Sequence, residues 1–160
     1  VRDKLASLNT DTRAVWGGGR TETSSNTNSN VMDYITMASI GNASDFGDLS
    51  VSRKGIQGGS STTRGVFSGG YTPSFSDVMD YITIANTGNA TDFGDLTVVG
   101  YYHAALSDKT TGLYTAIGTG GTGTAIDKIT IASTGNATDW GDNLHSHYGA
   151  ASASNSHGGI

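Results

Sequence analysis

The chain has 160 residues and a net charge of −5, with no cysteine, one proline and a single glutamate. The absence of cysteine excludes disulfides, thiolate zinc sites and cysteine nucleophiles. Nine dispersed Lys and Arg residues on an acidic chain argue against nucleic-acid binding. No apolar run approaches the roughly 20 residues of a membrane-spanning helix.

Glycine and small polar residues dominate the composition. Gly, Thr, Ser and Asn together account for 75 of the 160 residues, and all four disfavour helix interiors. Such a composition is typical either of a disordered low-complexity segment or of an all-β protein built from short strands and many turns.

An internal repeat distinguishes between these two classes. Residues 41–48 recur as residues 88–95 and again as residues 135–142, so the period is 47 residues. A disordered segment has no physical reason to keep that register, whereas a packed unit gives each position a fixed environment. The repeat therefore favours the all-β class.

Four short strands are predicted within each period, because apolar and polar residues alternate between turn signals. In the first copy the opening strand is residues 13–19. The strands of the second copy, in chain order, are residues 64–70, 79–85, 90–99 and 101–106, and residues 112–115 open the third copy. Four strands per repeat are typical of one blade of a β-propeller.

The repeats resemble the Kelch motif. The resemblance rests on a Gly–Gly doublet that closes a strand, an Asp beside an aromatic residue, and a second aromatic residue ahead of a leucine-bearing strand. These positions are Gly18–Gly19 and Gly69–Gly70; Asp33, Asp80 and Asp127; and Phe46, Phe93 and Trp140. The third copy departs from the pattern, with Ala116–Ile117 in place of the doublet and Lys128 in place of a tyrosine. The repeats look most similar to the Kelch-like repeats of phage tail-fibre and virion structural proteins, especially those of marine phages.

We therefore predict an all-β chain of Kelch-like β-propeller blades, each with four antiparallel strands. The predicted repeat units are residues 14–64, 65–111 and 112–158, and residues 1–13 and 159–160 are assigned to adjoining partial blades. Three blades are too few for a closed ring, since propellers have four to eight. We expect the chain to be part of a longer polypeptide; the alternatives are a dimer that forms a six-bladed ring and an open array of repeats.

Nine of the 14 acidic residues occupy three repeat positions, which raises the possibility of calcium binding or acid–base chemistry. They are Asp33, Asp80 and Asp127; Asp45, Asp92 and Asp139; and Asp48, Asp95 and Asp142. A catalytic pair would occur once rather than in every repeat, so a structural role is favoured. The middle set is expected to cap backbone N–H groups in a turn. The sequons at Asn42, Asn89 and Asn136 are interpreted as accidental matches.

Histidine offers the one weak metal hypothesis. His145 and His147 would share a face if they lie on a strand, and His157 follows, but no third strong ligand accompanies them. His103 is expected to pack in the interior or to face solvent. The sequence shows no nucleophile motif and no phosphate-binding loop. No metal site, cofactor or catalytic residue is predicted.

The loops that follow the Gly doublet differ between copies, whereas the turn at residues 41, 88 and 135 does not. The Kelch resemblance implies that these loops lie on the same face as the connections between blades. The candidate ligand-binding residues on that face are Arg20, Tyr71, Phe75, Tyr101 and Tyr102. The alternative is that these are only the solvated loops of a structural fibre.

The function predicted from the sequence is that of a non-enzymatic virion structural or tail-fibre-type segment, in a phage particle or otherwise extracellular. It would serve as a scaffold or as a receptor-binding module. Its expected partners are further blades of the same polypeptide or other copies of the chain, and a host-surface glycan or a virion protein; nucleic acid is not among them. The alternatives are a secreted bacterial carbohydrate-binding propeller and a self-assembling extracellular filament subunit.

Overall fold

The computed structural model of the chain describes residues 1–21, 27–115, 123–147 and 149–150. Fourteen strands and no helix lie in these ranges, so the described part of the chain holds no helix capable of crossing a membrane. Twelve of the strands form three four-stranded antiparallel sheets, and the other two form a short ribbon. The predicted positions at residues 116–117, His157 and 159–160 lie outside the described residues.

In each of the three sheets the strands lie side by side in the order in which they occur in the chain, and only β4, which belongs to the ribbon, interrupts that order in the first sheet. The ribbon pairs β1 (Arg2–Asp3) with β4 (Arg20–Thr21). The first sheet contains β2 (Ala6–Asn9), β3 (Arg13–Gly17), β5 (Val31–Thr36) and β6 (Ser44–Asp48). The second contains β7 (Gln57–Ser60), β8 (Arg64–Ser68), β9 (Ser76–Thr83) and β10 (Thr91–Gly100). The third contains β11 (Ala105–Ser107), β12 (Thr111–Thr115), β13 (Ala125–Thr130) and β14 (Thr138–Asp142).

The sheets begin one strand earlier than the predicted repeat units. The predicted units start at residues 14, 65 and 112, which correspond to the second strand of each sheet. The first two strands of every sheet form a hairpin, because a three-residue turn is closed by a backbone hydrogen bond such as Ser61 N to Arg64 O at 2.8 Å. For the same reason the predicted strand 101–106 is displaced to Ala105–Ser107, which pairs with β12.

The apolar repeat positions build one core between each pair of neighbouring sheets. The core between the first and second sheets includes Phe46, Phe67 and Ile84. The core between the second and third sheets includes Phe93 and Ile131, which stand at the same repeat positions as Phe46 and Ile84. The 47-residue period therefore reflects a repeated interface between sheets.

The turn that recurs in each repeat contacts the outer strand of the preceding sheet in the second and third sheets. Gly88 N donates to Phe46 O at 2.7 Å, and Ala90 N donates to Asp48 O at 2.8 Å. The side chain of Asn89 accepts a hydrogen bond from Asp48 N at 3.0 Å. The third sheet repeats all three contacts on the second, through Gly135, Asn136 and Ala137.

The prediction that Asp45, Asp92 and Asp139 lie in a turn is wrong, although Asp139 does accept a hydrogen bond from a backbone amide, Gly141 N at 3.1 Å. They lie within β6, β10 and β14, where each stands opposite an Asp of the neighbouring strand. Three residues before Asp92 and Asp139, the turn asparagines Asn89 and Asn136 also accept from backbone amides, and they do so across the sheet boundary.

The glycine doublet of the Kelch-like pattern is required by the backbone. Gly69 and Gly70 have φ of +62° and +106°, a region that side chains disfavour. A β-carbon on Gly69 would lie 2.7 Å from Gly100 O, and one on Gly70 would lie 2.9 Å from Lys54 O. The doublet thus lets the chain turn directly against the segments that connect the sheets.

Candidate functional site

Four of the five candidate binding residues form one aromatic cluster, which we define as Tyr71, Phe75, Tyr101 and Tyr102. The ring centroids of Tyr71, Phe75 and Tyr101 are 5.6 to 5.7 Å apart, and that of Tyr102 is 4.2 Å from Tyr101. All four side chains are half-buried. Their role in ligand binding stays a prediction.

The first two rings of the aromatic cluster come from the loop after the Gly69–Gly70 doublet. Tyr71 pairs by its backbone with Lys54, through hydrogen bonds of 2.8 and 3.1 Å. Phe75 stands opposite Tyr71 in a tight turn, in which Thr72 N donates to Ser74 O at 2.9 Å. Both rings are therefore held by backbone contacts rather than by side-chain packing alone.

The other two rings come from the connection between the second and third sheets. The Tyr101 ring lies directly over Gly55, where a β-carbon would be 2.2 Å from the ring. Tyr102 N donates to Gly55 O at 3.0 Å. Because Gly55 connects the first and second sheets, the aromatic cluster unites two inter-sheet connections with one loop.

Two lysines flank the aromatic cluster. Lys54 Nζ lies 5.1 Å from the centroid of the Tyr71 ring, and Lys4 Nζ lies 5.4 Å from that of Tyr102. These distances fit cation–π contacts. The aromatic cluster is therefore flanked by positive charge, although the net charge of the chain is −5. Neither lysine was among the site residues predicted from the sequence.

Lys4 and Tyr102 both adopt a left-handed backbone, with φ of +56° and +54°. Gly55 and Gly149 stand at the same repeat position and have φ of +64° and +71°. Backbone hydrogen bonds join the four in a row: Gly55 N to Lys4 O, Tyr102 N to Gly55 O, and Gly149 N to Tyr102 O. Glycine suits this position, so the lysine and the tyrosine hold a strained backbone at the aromatic cluster.

Arg20, the fifth candidate, lies beside the aromatic cluster in an ion pair of its own. It bonds both carboxylate oxygens of Asp3, at 3.0 and 2.6 Å, and this hydrogen bonding lowers the pKa of Asp3. Arg20 also pairs with Asn28, whose side-chain amide donates to Tyr71 O at 2.9 Å. Arg20 thus supports the loop that carries Tyr71.

Buried charges lie beneath this face. Arg53 is fully buried, donates to Gly69 O and Val78 O, and bonds Asp80 at 2.5 Å. Burial lowers the pKa of Arg53, and the carboxylate of Asp80 opposes that shift. Ser50 donates to the second oxygen of Asp80. Asp80 of β9 therefore binds two residues of the connection between the first and second sheets, Ser50 and Arg53.

The other two repeat aspartates vary this arrangement. In the first sheet Arg2 bonds Asp33 and donates to Val31 O, as Arg53 does with Asp80 and Val78. In the third sheet Gly100 stands at the position of the arginine, and Asp127 accepts from the amide and hydroxyl of Thr97 instead. These contacts are structural, and they use the repeat aspartates in all three sheets.

His103 is buried against Ser68, with its Nε2 2.9 Å from the serine Oγ. Burial, aided by the charge of Arg53, lowers the pKa of His103 to about 3. The imidazole is therefore neutral and inaccessible at neutral pH. It serves the core rather than proton transfer.

Acid is expected to destabilise the fold through His103. The unfolded histidine has a pKa near 6.5 and the folded one a pKa of about 3, so the unfolded state binds more protons in that window. The free energy of unfolding should fall by about 1.4 kcal/mol per pH unit below about pH 6.5. Urea unfolding of wild type and His103→Gln between pH 7.5 and 4.5 checks this; parallel pH profiles for the two proteins would contradict it.

His145 and His147 do not lie on a strand, as the metal hypothesis required. Both are exposed in the segment after β14. Within the described ranges no three His, Asp or Glu side chains lie close enough together to hold a metal ion.

Shallow cavities recur beside the repeated turn of each sheet, at residues 41–43, 88–90 and 135–137. Their volumes are about 140, 240 and 370 Å³, and their linings include Asn42, Asn89 and Asn136 respectively. Because the same turn produces all three, they are features of the repeat rather than a single site.

Comparisons with known proteins bear on the fold alone. No family model and no curated protein matches the chain. The fold does match solved structures, in 128 chains. One of them is the structure of YjhT, which aligns with a TM-score of 0.67 and 9% sequence identity. The alignment covers 89% of this chain and 53% of YjhT. The present chain thus spans about half the length of YjhT. Together with the three four-stranded antiparallel sheets, this likeness is consistent with a β-propeller-like fold.

Proposed function

We propose that the chain is a Kelch-like propeller segment that acts as a non-enzymatic binding module in a virion appendage of the tail-fibre type, with a glycan as its ligand. The observation that supports the glycan assignment is the aromatic cluster. Its rings come from the loop after Gly69–Gly70 and from the connection between the second and third sheets, and they pack together beside Gly55. The virion setting rests on the resemblance of the repeats.

A glycan suits the chemistry of the aromatic cluster. Tyrosine and phenylalanine offer flat apolar faces, and tyrosine adds a hydroxyl at the edge. A sugar ring has apolar C–H faces and polar hydroxyls, so it can pack on the rings while its oxygens bind Lys4 and Lys54. The two ammonium groups favour carboxylated sugars over neutral ones.

Preorganisation supports the same assignment. The rings are fixed by backbone contacts and by one another, so binding costs little side-chain entropy. The left-handed backbone at Lys4 and Tyr102 is retained where glycine occupies the other repeats. Strain of this kind is common at ligand-binding sites.

Phe75→Ala is expected to weaken glycan binding at least about tenfold, a loss of about 1.4 kcal/mol. The variant removes one face of the aromatic cluster while Tyr71 keeps its backbone pairing. The measurement is binding to a panel of neutral and carboxylated oligosaccharides, followed by isothermal titration with the tightest binder.

Tyr34→Ala is the matched control. Tyr34 is also half-buried and stacks edge-on with Phe46 beneath Arg13, but it lies in the first sheet and outside the aromatic cluster. It should retain wild-type affinity. The proposal fails if no oligosaccharide of the panel binds, or if Phe75→Ala and Tyr34→Ala bind equally well.

A further inference from the structure

The outer strand of the third sheet exposes a residue whose repeat equivalents are buried. Trp140 is 58% exposed, whereas Phe46 and Phe93 at the same repeat position are each 2% exposed. Phe46 and Phe93 are covered by the turn of the following sheet. We call residues 140–142 the outgoing face.

The first sheet exposes the complementary half of that contact. Met37 is 53% exposed, whereas Ile84 and Ile131 at the same repeat position are 1% and 0% exposed, because each packs against the preceding sheet. Ala43 of the turn at residues 41–43 is exposed as well, whereas Ala90 is half-buried and Ala137 is buried at the same repeat position. We call Met37 and residues 41–43 the incoming face.

The two internal interfaces specify how these faces would pair. In both, the glycine and alanine amides of the turn donate to two carbonyls of the outer strand, and the asparagine accepts from a strand amide. At the equivalent repeat positions, the hydrogen bonds between two docked copies would join Gly41 N to Trp140 O, Ala43 N to Asp142 O, and Asp142 N to Asn42 Oδ1.

We propose that the incoming face of one copy of this chain docks on the outgoing face of a second copy. The occupant is a second copy because one chain carries both halves of the contact, continuous with an interface it already forms twice. Such a head-to-tail contact closes into a ring or extends as a chain of subunits, depending on its rotation.

The docked interface should be weaker than the two internal ones. Arg13 and Arg64 each reach from one sheet to backbone carbonyls of the next. The corresponding residue of the third sheet is Thr111, which cannot make that contact. Association is therefore expected to be reversible and dependent on concentration.

Sedimentation velocity over a range of concentrations tests the proposal. The wild-type mass should rise from 16.4 kDa to at least twice that value. Gly141→Ala should raise the concentration for half-association at least about tenfold, because at the equivalent Gly47 and Gly94 a β-carbon would lie 2.4 to 2.5 Å from the docked turn. Gly135→Ala is the control: its φ of +150° matches the +149° of Gly141, and its β-carbon also meets nothing within 4 Å.

Mixing two variants separates this contact from any other. Gly141→Ala weakens the outgoing face and Met37→Asp the incoming face, so each alone should be monomeric at the concentration at which half of the wild type is associated. An equimolar mixture retains one intact pairing and should form a heterodimer. Circular dichroism verifies that both variants fold. A wild type that stays monomeric at its highest soluble concentration, or association that both variants leave unchanged, would overturn the proposal.

Discussion

Arg53→Met should lower the free energy of unfolding by about 3–5 kcal/mol, the cost of leaving a buried charge without its partner. Arg53 and Asp80 are both fully buried, and the arginine also bonds two backbone carbonyls. The variant removes those donors and strands the Asp80 carboxylate in the interior. Urea unfolding at neutral pH measures the loss.

Arg2→Met is the internal control, because Arg2 bonds Asp33 and Val31 O in the first sheet as Arg53 bonds Asp80 and Val78 O in the second. There the side chain of Asp33 is 37% exposed, so water can solvate the abandoned carboxylate. The expected loss is about 1 kcal/mol or less. Equal losses for Arg53→Met and Arg2→Met would contradict the description of a buried pair.

Gly94→Ala should destabilise the chain by at least about 2 kcal/mol more than Gly141→Ala. A β-carbon on Gly94 would lie 2.5 Å from the backbone of Gly135 in the next sheet, whereas one on Gly141 would meet nothing. Both glycines have positive φ, +134° and +149°, so the strain of a left-handed backbone largely cancels in the comparison.

The measurement for this pair is chemical unfolding at concentrations below the onset of association, so that Gly141 stays uncovered. If the two alanine variants lose the same stability, then the turn of the third sheet does not rest on β10. The interlocking of successive sheets would then have to be abandoned.

Because the sequence repeats, the strands and the glycine doublet could be predicted from it. A glycine recurs at the position of Gly69 because the backbone there requires it. The predicted alternation of inward and outward side chains is seen at Ile82 and Ile84, which are buried on either side of an exposed residue. The grouping of strands into sheets was missed, because periodicity does not tell which neighbour a strand pairs with. The three-residue turn before Arg64 was the available signal.

Contacts between distant segments account for the remaining differences. Nothing local indicates that Lys4 lies over Tyr102, since about a hundred residues separate them. The alignment of Lys4 with Gly55, Tyr102 and Gly149 would have identified it as an unusual occupant of a glycine position. Likewise the role of Asn89 depends on a strand of another sheet, so the nearer Asp92 was preferred in error.

The most direct test of the binding account is a two-dimensional NMR titration of the isotope-labelled chain with the tightest-binding oligosaccharide of the panel. The amide resonances that shift are expected to belong to residues 4, 54–55, 71–75 and 101–102, around the aromatic cluster. Shifts confined to the repeated turns, at residues 41–43, 88–90 and 135–137, would contradict a single aromatic site and assign the ligand to the cavities that recur in every sheet.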